Sequence, residues 1–94
     1  MAEYFPEDLN ERDQRALETE AKRWLSVVRK DKYAREVIRS QRWHALSDSL
    51  YTWLTDRGET RVSLSTQFND REDMLEAVGR WADAFVRKHF NVED

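Results

Sequence analysis

Residues 69–90 read NDREDMLEAVGRWADAFVRKHF, and the spacing of apolar residues in this stretch decides the fold. Met74, Val78, Trp81, Ala82, Phe85 and His89 recur at intervals of three and four, which places them on one face of a helix; Leu75, Val86 and Phe90 widen that face. Asn69 or Asp70 supplies the N-cap. Glu72 and Asp73 in the first turn, and Arg87, Lys88 and His89 in the last, complement the partial charges at the helix ends. A helix with so broad an apolar stripe has to bury it against other elements.

Immediately upstream, Thr60 to Phe68 breaks the helical period. Val62, Leu64, Thr66 and Phe68 alternate with Arg61, Ser63, Ser65 and Gln67, the pattern of a half-buried extended chain. The sequence offers no second strand of comparable quality, and a lone strand leaves its backbone groups without ladder partners. A connector packed on the helices is therefore favoured over a strand that pairs with a second copy of the chain. In either case Val62, Leu64 and Phe68 are candidates for a partner or oligomer edge.

Further upstream, Leu17, Ala21, Trp24, Leu25 and Val28 form another core-facing stripe. Pro6, followed by Glu7 and Asp8, marks one start for this helix, and Asn10, three residues before Asp13, marks an alternative. The acidic residues Glu7, Asp8, Glu11 and Asp13, like Asp70, Glu72, Asp73 and Glu76 later, read as charge that favours a helix N-terminus. Asp31 is the best cap for the next helix, which carries Tyr33, Ala34, Val37 and Ile38. Trp43, Leu46, Leu50, Trp53 and Leu54 then continue on a rotated stripe, with a bend expected near Ser40-Gln41 and Gly58 as the C-terminal stop. The expectation is a mainly α fold: one compact domain over residues 1–94, a bundle of three to four helices with an extended or strand-like segment at about 60–68, and frayed ends at 1–5 and 91–94.

Composition limits what such a domain does. There is no cysteine in the 94 residues, which excludes disulfides, thiolate chemistry and Cys-based metal sites. The first eight residues lack a basic region followed by an apolar one, so a cytoplasmic, soluble protein without membrane attachment is expected. Two glycines are too few for a phosphate-cradling loop, and there is no nucleophile elbow and no His-Glu-x-x-His. His44 and Asp48 are spaced as a metal half-site or acid-base pair, with Ser47 and Ser49 nearby, but a third ligand such as His89 would have to arrive through folding. The weight falls on a non-catalytic chain with no metal and no cofactor.

Binding is the remaining class. Arg29, Lys30, Lys32, Arg35, Arg39 and Arg42 are opposed within their span only by Asp31 and Glu36, although the formal net charge of the chain is -3. On a helix, Lys32, Arg35, Arg39 and Arg42 form one basic stripe, and Gln41, Trp43 and His44 follow it with groups that contact or stack on bases. The ordinary account is a solvated outer face. Trp24 and Trp81 belong to core stripes; of the four, Trp43 and Trp53 are better placed for a shared interface, although burial in their own core is favoured for them too. The leading expectation is a small protein-interaction module, docking on a larger protein or forming a homodimer; the alternative is a nucleic-acid-binding regulator that uses Lys32, Arg35, Arg39, Arg42 and Trp43.

Overall fold

The computed structural model describes residues 9–32, 35–36 and 43–90, the side chain of Trp43 excepted. Its elements, in chain order, are α1 (Glu11–Lys30), α2 (Trp43–Leu54), β1 (Thr55–Asp56), β2 (Glu59–Thr60) and α3 (Arg71–His89). The chain is mainly helical, with a small two-stranded sheet. The frayed ends, the bend near Ser40-Gln41 and the stripe of Tyr33, Ala34, Val37 and Ile38 lie outside the described residues.

α1 begins at Glu11 because Asn10 holds an extended conformation (φ -73°, ψ 167°) and its side chain accepts the Asp13 amide at 2.8 Å. The start therefore falls at the later of the two sequence signals and not at Pro6. At the other end the Asp31 amide returns to the Val28 carbonyl at 3.1 Å, and the Asp31 carbonyl accepts the Arg35 amide at 3.0 Å. Asp31 thus ends one helix and opens the next turn, as expected of a residue that disfavours helix interiors. α3 repeats the N-terminal device: Asp70 is extended (φ -154°, ψ 178°) and accepts the Asp73 amide at 2.9 Å.

Gly58 has a different role from the helix stop read in the sequence. α2 ends at Leu54, and Gly58 (φ 80°) follows Arg57 (φ 52°) at the two centre positions of a tight hairpin. Two successive positive φ values define the turn type whose twist suits antiparallel strands, and glycine occupies its second position without steric cost. The register pairs Thr55 with Thr60 and Asp56 with Glu59. The strand partner that the sequence did not reveal is therefore β1, only two residues long, and it engages only the start of the alternating segment. The Arg61 amide adds one further bond, to the Leu54 carbonyl at 2.8 Å, and residues 62–70 carry no ladder.

The core forms where three apolar faces converge. α1 contributes Leu17, Ala21, Trp24, Leu25 and Val28, α2 contributes Leu46, Leu50 and Leu54, and α3 contributes Ala77, Val78, Trp81, Ala82, Phe85 and Val86, with Leu9 closing one end. Each fully buried aliphatic side chain stabilises the fold by about 1.5–3 kcal/mol relative to exposure. Polar contacts at the rim fix the rotations: Trp24 Nε1 donates to Ser49 Oγ, and Trp53 Nε1 to Glu20 Oε1, both at 3.1 Å, tying α2 to α1. Ser47 Oγ donates to Asp83 Oδ1 at 3.1 Å and ties α2 to α3. Trp53, for which the sequence favours the core of its own chain over an interface, is thus engaged within that chain.

Candidate interaction groove

Asp13 explains how a segment without a ladder holds its course. Its carboxylate is fully buried, the one buried charged side chain among the described residues. The Ser65 amide donates to both of its oxygens, at 2.8 and 2.9 Å, and the Thr66 amide donates to Oδ2 at 2.6 Å. The two hydroxyls follow, Ser65 Oγ at 3.1 Å and Thr66 Oγ1 at 2.5 Å. Asn10 extends the cluster, its amide donating to Thr66 Oγ1 and its side-chain nitrogen to Ser65 Oγ, each at 2.9 Å. Burial pushes the Asp13 carboxyl towards its neutral form. The Thr66 hydroxyl, the Ser65 and Thr66 amides and the Ser65 hydroxyl outweigh that effect and hold its pKa below the ordinary carboxylate range.

The sequence signal for this latch is slight. Asp13 reads as one more acid in a first helical turn, and Ser65-Thr66 as two polar residues in an alternating run. Only the adjacency of two hydroxyls in the middle of an otherwise unpaired segment hints that they meet an acceptor.

With its middle held by Asp13, the connector lines a groove of about 500 Å³, and the held residue Thr66 is part of that lining. Val62, Leu64 and Phe68, the three residues singled out as an edge, all line it, together with Met74 and Arg71 of α3 and Glu59 of β2. All three pack on the core from one side and remain half-buried, while Arg61, Ser63, Ser65 and Gln67 are exposed. The alternation of the sequence is thus real, though no sheet enforces it. Arg71 lies 3.9 Å from Glu59 across one end of the groove, an exposed pair that adds polar character to its rim.

The other candidate surface is described in part. Lys32 and Arg35 are exposed, next to the exposed Arg29 and Lys30 at the end of α1; Arg39, Arg42 and the side chain of Trp43 lie outside the described residues. His44 and Asp48 are both exposed on α2, and among the described residues no group of three or more metal-ligating side chains comes together. His89 sits elsewhere, stacked on Phe85 with ring centroids 4.1 Å apart and lining a second groove with Lys22, Leu25, Ser26, Arg29 and Lys30. The helical period puts His89 on the core stripe of α3 but carries no signal for its meeting with α1.

No protein family, no curated protein and no solved structure matches this chain. Among the described residues, no helix is long and apolar enough to cross a membrane.

Proposed function

We propose that this chain is a small non-catalytic interaction module, docking on a larger protein or on a second copy of itself through the groove between the 61–70 connector and the start of α3. The observation that carries this reading is the joint placement of Val62, Leu64 and Phe68, half-buried along one open groove on a backbone that Asp13 holds at Ser65 and Thr66. Apolar side chains held on an ordered backbone limit the conformational entropy lost on association, and a rim of Arg71 and Glu59 gives a partner polar groups to read.

The test is a photo-crosslinking amino acid at position 64 in the cells of origin, with the same probe at Arg23 on the exposed outer face of α1 as the control. A discrete adduct from position 64, absent from position 23 and lost on Phe68→Lys while the circular dichroism spectrum is retained, is the expected result. An adduct of twice the chain mass identifies a homodimer. Indistinguishable labelling from positions 64 and 23 would refute the reading.

A second reading, nucleic-acid binding, is favoured by the exposure of Lys32 and Arg35 beside Arg29 and Lys30. It requires binding that weakens steeply with salt and that falls when Lys32, Arg35, Arg39 and Arg42 are replaced by Ala. Binding of oligonucleotides at low salt unchanged by that replacement removes this reading.

A further inference from the structure

The second groove, about 450 Å³ in volume, lies where the C-terminal part of α1 meets His89 of α3. Lys22, Leu25, Ser26 and Arg29 stand at i, i+3, i+4 and i+7 and so share one helix face, and Lys30 follows at the end of the same helix. Among the described residues, the lining holds three cations and no carboxylate. Among the described residues, the ion pairs of α1 are Arg12 with Asp13, Arg15 with Glu11 and Arg23 with Glu20, and none engages Lys22, Arg29 or Lys30.

Favourable interaction with helix C-termini accounts for Arg29, Lys30 and His89, which lie in the last turns of their helices. It does not account for Lys22, two turns before the end of α1. The His89 ring is held in place by stacking: Trp81 lies 5.3 Å from Phe85, and Phe85 lies 4.1 Å from His89, between ring centroids in each case. Burial lowers the proton affinity of His89, and Lys88, Arg29 and Lys22 lower it further against the opposing effect of Glu18. The groove therefore combines a stacked imidazole, a hydroxyl from Ser26, an apolar floor at Leu25 and three exposed cationic side chains, of which Arg29 and Lys22 together outweigh Glu18 in their effect on His89.

We propose that this groove binds a phosphate-bearing anion, with Lys22 and Arg29 on either side of the phosphate, Ser26 donating its hydroxyl and His89 supplying a ring N–H. Its volume lies in the range of small-molecule sites and accommodates a nucleotide-sized ligand. The proposal is independent of the apolar groove, which is built from other residues. A bound phosphate neutralises the field that disfavours protonated His89, so occupancy and histidine charge rise together.

The experiment is a titration of the labelled protein with inorganic pyrophosphate at constant ionic strength, against sodium chloride, followed by NMR at the His89 ring protons and the Ser26 amide. Saturable shifts at both positions and an upward move of the His89 titration midpoint are expected. Lys22→Gln and Arg29→Gln, both at exposed positions and each checked by circular dichroism, are expected to weaken binding by about tenfold. ATP and a single-stranded oligonucleotide are run in parallel: tighter binding of the first assigns the phosphate to a free nucleotide, tighter binding of the second to a nucleic-acid backbone. Absence of saturation above the chloride control overturns the proposal, as does unchanged pyrophosphate affinity in both folded variants.

Discussion

Asp13 and Asp73 occupy the same position in the same local device. Each is the third residue of a helix, and each gives its backbone amide to the side chain of the cap three residues before it, Asn10 at 2.8 Å and Asp70 at 2.9 Å. Their side chains then part company: Asp73 is exposed, whereas Asp13 is fully buried and accepts from Ser65 and Thr66. The comparison teaches that a helix cap specifies where a helix begins but not what its first turn touches. One acid serves its helix alone; the other organises a segment more than fifty residues away.

The largest expected effect comes from replacing each acid by alanine. Asp13→Ala removes the buried acceptor of the Ser65 and Thr66 amides and hydroxyls and is expected to cost about 2–3 kcal/mol. Asp73→Ala removes only a favourable charge near a helix N-terminus, about 0.3–1 kcal/mol. Urea denaturation of the two variants measures both, and equal losses would break the comparison.

Acid provides the next test. Because the carboxyl of Asp13 has a lower pKa folded than unfolded, its contribution is fully present above the unfolded value, near pH 4, and is lost as pH falls through the folded value. Stability of the parent protein measured from pH 5 to pH 2 should therefore fall more steeply than that of Asp13→Asn, which has no charge to lose. Parallel curves would show that the buried carboxylate is not what the connector senses.

The caps themselves should differ less. Removal of either side chain, Asn10→Ala or Asp70→Ala, is expected to cost about 1 kcal/mol. Asn10→Ala should exceed its counterpart because Asn10 also reaches Ser65 Oγ at 2.9 Å. A double-mutant cycle with Ser65→Ala isolates that excess, and a zero coupling would assign Asn10 to its helix alone.

The smallest effects belong to positions where the two helices are alike. Glu11–Arg15 on α1 and Glu76–Arg80 on α3 are both exposed pairs one turn apart. Disrupting either should cost about 0.3 kcal/mol, and less in high salt. Thermal denaturation at low and high salt checks this, and a large difference between the pairs would mean that the surroundings of the two helices diverge beyond Asp13.

The same contrast marks what the sequence made legible. The stripes of α1 and α3 could be read because a helical period repeats each residue's environment every turn, so Leu17, Trp24, Val78 and Phe85 reinforce one another. Val62, Leu64 and Phe68 could be read in the same way, at a period of two. Asp13 could not, since its partners are distant in sequence and its own neighbours already explain an acid there. Gly58 reads as a helix end because a glycine after a helical stretch fits both a stop and a hairpin, and two-residue strands are too short to carry a pattern. Lys22 and His89 were legible as helix residues but not as neighbours, because their meeting depends on how α1 and α3 pack.

The bond from Asp13 to Ser65 spans 52 residues, and it turns most of the described chain into a closed ring. Closing a ring of that size carries an entropy cost that grows with the logarithm of its length, so the latch is formed economically only after helix packing has shortened the gap. A latch formed in that order is expected to open without unfolding the rest of the molecule. The amide protons of Ser65 and Thr66 would record that opening directly, exchanging with solvent deuterium at the rate of the latch and not at the rate of the core.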